Sequence, residues 1–93
     1  MDLNKHILIV EDDVAISDLI QMNLEMVDYK TTQVFSGLEV VPALQSGSFD
    51  LILLDIMLPG IDGFSLMKYI KEFNIPVIFF TAKNSVMDKV AGI

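Results

Sequence analysis

Two apolar rhythms alternate along the chain. HILIV, residues 6–10, holds four apolar residues in a row, the pattern of a strand buried on both faces. From Asp13 to Val27 the apolar positions Ile16, Leu19, Ile20, Leu24 and Val27 follow a helical stripe. Asp12 or Asp13 can cap that helix, since an acid suits its positive end. Tyr29 to Phe35 is a weaker strand enriched in β-branched residues. Ser36-Gly37-Leu38-Glu39 has the form of a capping box opening a second helix, which Gly47 ends. Pro42 falls early in that helix, so the helix either kinks there or starts later than the box implies; a kink is the reading adopted. Asp50 to Leu54 is a further buried strand, followed by a helix from about Gly63 to Phe73 with Leu66, Ile70 and Phe73 inward. Asn74-Ile75-Pro76 breaks it, and PVIFFT, residues 76–81, is a fourth strand whose Val77, Ile78, Phe79 and Phe80 read as interior. Ser85 to Asp88 offers another capping box, and Val86, Val90 and Ile93 begin a fourth helical stripe.

The order β-α-β-α-β-α-β-α predicts parallel strands joined by crossover helices, which explains strands that are apolar on both faces. Right-handed crossovers then favour an α/β doubly wound open sheet in a single domain. Such sheets bind ligands beyond the carboxyl ends of their strands.

Composition narrows the partners. Of 93 residues, 53% are hydrophobic and 20% charged, so a packed core is expected rather than disorder. The net charge is −7, all six basic residues being lysines, which argues against a nucleic-acid face within these residues. No apolar run reaches the ~18 residues of a membrane span, and the N-terminus lacks a secretory pattern. The absence of cysteine excludes disulfides and thiolate metal sites and suits a cytoplasmic protein.

The chemistry gathers at the predicted strand ends. The first strand runs into Glu11-Asp12-Asp13, the third into Asp55 and the fourth into Thr81-Ala82. If these strands are neighbours, the groups share one rim. Crowded carboxylates repel one another, and an all-oxygen donor set suits Mg2+.

IVEDD after the first strand, LILLDIMLPGIDGF around the third and TA after the fourth together resemble the receiver domain of bacterial two-component response regulators. The resemblance spans the whole chain. It implies the flavodoxin-like fold with strand order 2-1-3-4 here, the family's fifth strand and fifth helix being missing from an incomplete domain at 1–93. It implies Asp55 as the phosphorylated nucleophile, with Asp12, Asp55 and the Met57 backbone carbonyl binding Mg2+ and Glu11 acting through water. Thr81 would hydrogen-bond the phosphoryl group and serve as a switch, and Ala82 would leave it room. The family's active-site lysine follows the fifth strand and has no equivalent in this chain. Lys83 flanks the site and is not that lysine by position.

The implied partner is a sensor histidine kinase, and the implied role is that of a signalling switch more than an enzyme. LPGIDGF and TAKN are similar in style to receivers joined to winged-helix DNA-binding domains, which makes transcription regulation the expected output of the whole protein. With the fifth strand missing, PVIFFT would be an unpaired apolar edge, and self-association through it is expected. Two alternatives stay open. One is a receiver-like fragment that acts only as a dimerisation or interaction module without phosphate turnover. The other is a Mg2+-dependent phosphatase, disfavoured because its usual second aspartate two residues on is Met57 here. Asp13 and Asp62 are read as cap and turn residues, and His6 is given no role.

Overall fold

The computed structural model describes residues 5–58 and 63–80. Four strands, β1 (His6–Val10), β2 (Lys30–Val34), β3 (Leu51–Asp55) and β4 (Val77–Phe80), form one parallel sheet in the order β2-β1-β3-β4. Three helices connect them: α1 (Val14–Met26), α2 (Val40–Ser46) and α3 (Gly63–Ile70). This is the doubly wound topology expected from the alternating pattern, with the predicted order 2-1-3-4. Thr81 and everything after it, including the expected fourth helix, lie outside the described residues, as does the Pro59–Asp62 turn.

The strands divide their side chains between the two faces. Leu8 and Val10 of β1 join Ile52 and Leu54 of β3 in the main core. Val40 and Leu44 of α2 and Leu66 and Ile70 of α3 pack into the same cluster. Ile7 and Ile9 are buried on the other face, where α1 lies. β1 is therefore apolar on both faces because helices lie against both of its faces.

α1 begins as read, with Asp13 rather than Asp12 as its cap: Asp13 Oδ1 accepts the Ile16 N–H at 3.2 Å. Its inner face corrects the stripe. Ile16, Ile20 and Leu24 are half-buried, but Leu19 is 55% and Val27 59% exposed, while Ser17 is buried. Polar contacts to β2 set this orientation. Gln33 Nε2 donates to Ser17 Oγ and to Asp18 Oδ1, both at 2.9 Å, and Gln21 Nε2 donates to Thr31 Oγ1 at 2.9 Å.

The second helix also departs from expectation. Ser36 precedes a 3-10 turn, Gly37–Glu39, without a side-chain capping bond, and α2 starts only at Val40. Pro42 then sits in the first turn, where its missing N–H removes no helical bond and its fixed φ fits. The later start, not the kink, accommodates it. Gly47 closes the helix as read. α3 tightens into a 3-10 turn, Lys71–Phe73, ended by Asn74 in the left-handed region at φ 57°. In β4 the interior reading of Ile78 fails, since it is 52% exposed, while Val77, Phe79 and Phe80 are half-buried. Among the described residues β4 pairs with β3 alone.

Candidate functional site

Register builds the site. Val10 pairs with Leu54, so the next residues along the parallel strands, Glu11 and Asp55, leave the sheet side by side. Asp55 also pairs with Phe80, and the Ile56 N–H donates to the Phe80 carbonyl at 2.9 Å. The end of β4 therefore lies next to Asp55. Three distant stretches of sequence meet at one end of the sheet for this reason.

Glu11, Asp12 and Asp55 each place a carboxylate oxygen within 4.8 Å of the other two. Glu11 and Asp55 are fully buried and Asp12 is half-buried. Backbone donors fix two of these acids. Glu11 Oε2 accepts the Asp13 N–H at 2.8 Å, and Asp55 Oδ1 accepts the Met57 N–H at 2.9 Å. Asp13 itself is exposed and committed to capping α1.

Like charges this close repel by about 3 kcal/mol per ionised pair at an effective dielectric of about 20. The arrangement therefore favours a cation. The donors are all oxygen, and Glu11 Oε1 and Asp12 Oδ1 are buried atoms. Oxygens around an octahedral ion at ~2.1 Å stand ~3 to ~4 Å apart, which a cluster of this span can meet with small rotamer adjustments. The residues fit Mg2+.

Of the residues singled out in the sequence, Glu11, Asp12 and Asp55 come together, and Met57 adjoins them through its N–H. The Met57 side chain is exposed. Thr81, Ala82, Lys83 and Asp62 lie outside the described residues. Sequence reasoning missed the clamp of the Met57 N–H on Asp55, whose signal is an aspartate at the head of a turn, where its side chain can accept the N–H two residues on. It also gave His6 no role. At the opposite end of the sheet the His6 N–H donates to Asp50 Oδ2 at 2.9 Å. Its Nε2 lies 2.7 Å from Thr32 Oγ1, and its ring packs on Phe49 with centroids 4.4 Å apart. That cluster ties β1 to its neighbours.

Known proteins carry the same pattern. The family model for the response regulator receiver domain matches residues 7–93. The chain is 40% identical over 90 residues to the uncharacterized transcriptional regulatory protein YkoG of Bacillus subtilis, covering 95% of this chain and 40% of that protein. It is 40% identical over 90 residues to the DNA-binding dual master transcriptional regulator RpaA of Synechocystis, covering 92% of this chain and 37% of RpaA. Among solved structures, the response regulator TrrA of Thermotoga maritima in complex with Mg2+-BeF superposes with a TM-score of 0.78 at 30% identity. That match covers 95% of this chain and 78% of TrrA. The chain thus spans about two fifths of the curated relatives it matches. With the sheet order, the acidic cluster and these matches in agreement, the chain belongs to the response regulator receiver domain family.

Proposed function

We propose that this chain is a phosphoacceptor module of a two-component system, with Asp55 taking a phosphoryl group from a sensor histidine kinase. The observation that carries the reading is the convergence of Glu11, Asp12 and Asp55 around one point at the end of β1 and β3. A nucleophile needs a fixed seat, and the last residue of a central strand supplies one. In the transfer an Asp55 carboxylate oxygen bonds to phosphorus as the donor's phosphorus–nitrogen bond breaks, and the departing imidazole keeps that electron pair.

Asp12 and Asp55 would hold Mg2+ directly, the Met57 carbonyl would be a third donor, and Glu11 would act through water. Bound there, Mg2+ supplies positive charge against the phosphoryl oxygens. The Met57 N–H keeps Asp55 oriented, and the Asp13 N–H does the same for Glu11. Thr81 and Ala82 are assigned the phosphoryl-binding and switch roles, with Lys83 flanking the site.

Residues 1–93 form part of one receiver domain in this reading, a switch rather than an enzyme in its own right. The names of YkoG and RpaA support transcription regulation as the output of the whole protein, and a cytoplasmic location belongs to the same proposal. Among the described residues no helix is long and apolar enough to cross a membrane. A second copy of the chain is the further proposed partner, met through the edge of β4, which among the described residues pairs with β3 alone.

The test is incubation with a small acyl-phosphate donor and Mg2+, read by intact mass. A single phosphoryl adduct that is absent in Asp55→Asn is the expected result. An adduct that survives in Asp55→Asn would move the acceptor elsewhere. No adduct, together with concentration-dependent association, would favour an interaction module without phosphate turnover.

A further inference from the structure

A loop of three residues, 11–13, joins β1 to α1 and carries Glu11 and Asp12. Carboxylates crowded around one point push such a loop apart, so its neighbours must hold it. β2, at the far side of the sheet from β4, does so with two consecutive residues. The Val34 carbonyl accepts the Glu11 N–H at 3.2 Å, which fixes the point where the chain leaves β1. Gln33 points to the opposite face of the sheet and reaches the start of α1. Its Nε2 group has two hydrogens and gives them to two acceptors, Ser17 Oγ and Asp18 Oδ1, both at 2.9 Å. Ser17 is fully buried, and a carboxylate acceptor makes the second bond charge-assisted.

From Ser17 the links run back to the acids. The Ser17 N–H donates to the Asp13 carbonyl at 2.9 Å, and the Asp13 N–H donates to Glu11 Oε2 at 2.8 Å. Gln33, Ser17, Asp13, Glu11 and Val34 thus form a ring of hydrogen bonds that the β2 backbone closes. Asp12 sits between two of its members, Glu11 and Asp13. Every member belongs to β1's exit loop, β2 or α1. Packing alone does not ask for this arrangement. An apolar side chain at position 33 would bury more apolar area against α1, whereas an amide there costs desolvation unless its bonds are made. Gln33 makes them, and both go to the same turn of helix.

We propose that Gln33 is a positioning residue of the acidic site. It pins the start of α1, so that Asp12 keeps its carboxylate beside that of Asp55. It acts through Ser17 and Asp13, and its effect is on how well the acids are arranged for a cation. The cation part rests on the phosphoacceptor reading above, in which these acids hold Mg2+; the pinning of the loop does not.

Amide hydrogen exchange, followed by NMR on the metal-free 93-residue chain, tests the pinning. The Asp13 N–H bonds Glu11 and the Met57 N–H bonds Asp55, so Met57 is the reference at the same site. Gln33→Leu keeps the bulk of the side chain and removes both donors. The expected result is exchange at Asp13 faster by about tenfold, the loss of one hydrogen bond, with Met57 unchanged. Ser17→Ala breaks the same link from the helix side and decides the matter if Gln33→Leu does not fold. The double variant should add little to either single one, because both break one link. Exchange that quickens equally at Asp13 and Met57 would make Gln33 a contributor to overall stability only and overturns the proposal, as does unchanged exchange at Asp13. Calorimetric titration with Mg2+ is the second arm, with affinity about tenfold lower in Gln33→Leu, as for residues that stand behind a metal ligand. Affinity equal to that of the unaltered chain also overturns the proposal. An unaltered chain that binds no Mg2+ would instead sink the cation reading of the acids, and the exchange result then decides the pinning by itself.

Discussion

At the residue scale the site is a balance between crowding and fixation. Three carboxylates share a span of 4.8 Å, and two of them are wholly buried. Without a cation this costs stability, so Asp12→Asn should stabilise the folded chain in chelator-containing buffer. The expected gain is about 1–2 kcal/mol, below the bare pair energy because Asp12 is half in water. Urea unfolding measures it; a loss of stability would mean that Asp12 is tied down chiefly by hydrogen bonds. The three acids were legible in the sequence because each ends an apolar run, and strand ends in a parallel sheet share a rim. The Met57 N–H on Asp55 was not, because it depends on how the chain turns after β3. Asp13 as the cap, read from the sequence, is what the helix start, at Val14, bears out.

At the element scale, apolar rhythm, β-branched content and capping signals together located the four described strands and three α-helices but neither 3-10 turn, and the misplaced faces and starts have physical causes. Periodicity shows which positions are apolar, not which arc of a helix meets the sheet. For α1 that arc is chosen by the polar seam of Gln33 and Thr31 on β2, which buries Ser17 and leaves Leu19 in solvent. For α2 the capping-box spacing pointed to Ser36, but a 3-10 turn intervenes and Pro42 fits the first turn. Asp13→Ala removes the acceptor for the Ile16 N–H and should cost about 1 kcal/mol in urea unfolding, without changing the sheet. Leu54→Ala opens a cavity between β3 and the helices on the main-core face, where Leu54 is fully buried. A loss of about 2–5 kcal/mol is expected, read by the same measurement.

At the scale of the whole molecule, charge and apolar surface act against each other. A chain of net charge −7 resists its own copy at low salt, which opposes any association through exposed apolar residues such as Leu19 and Ile78. Association should therefore tighten as salt rises from about 0.02 to 0.5 M, because screening shortens the reach of the repulsion. Sedimentation at the two salt concentrations checks this, and weakening with salt would point to an interface built on ion pairs instead. The sheet order and the family likeness fix where the acids converge, and the whole account turns on their sharing one cation. Calorimetric titration with Mg2+ tests that most directly. One ion per chain is predicted for the unaltered protein, with affinity reduced at least about tenfold in Asp12→Asn and in Asp55→Asn. Mg2+ affinity unchanged in both variants would contradict it.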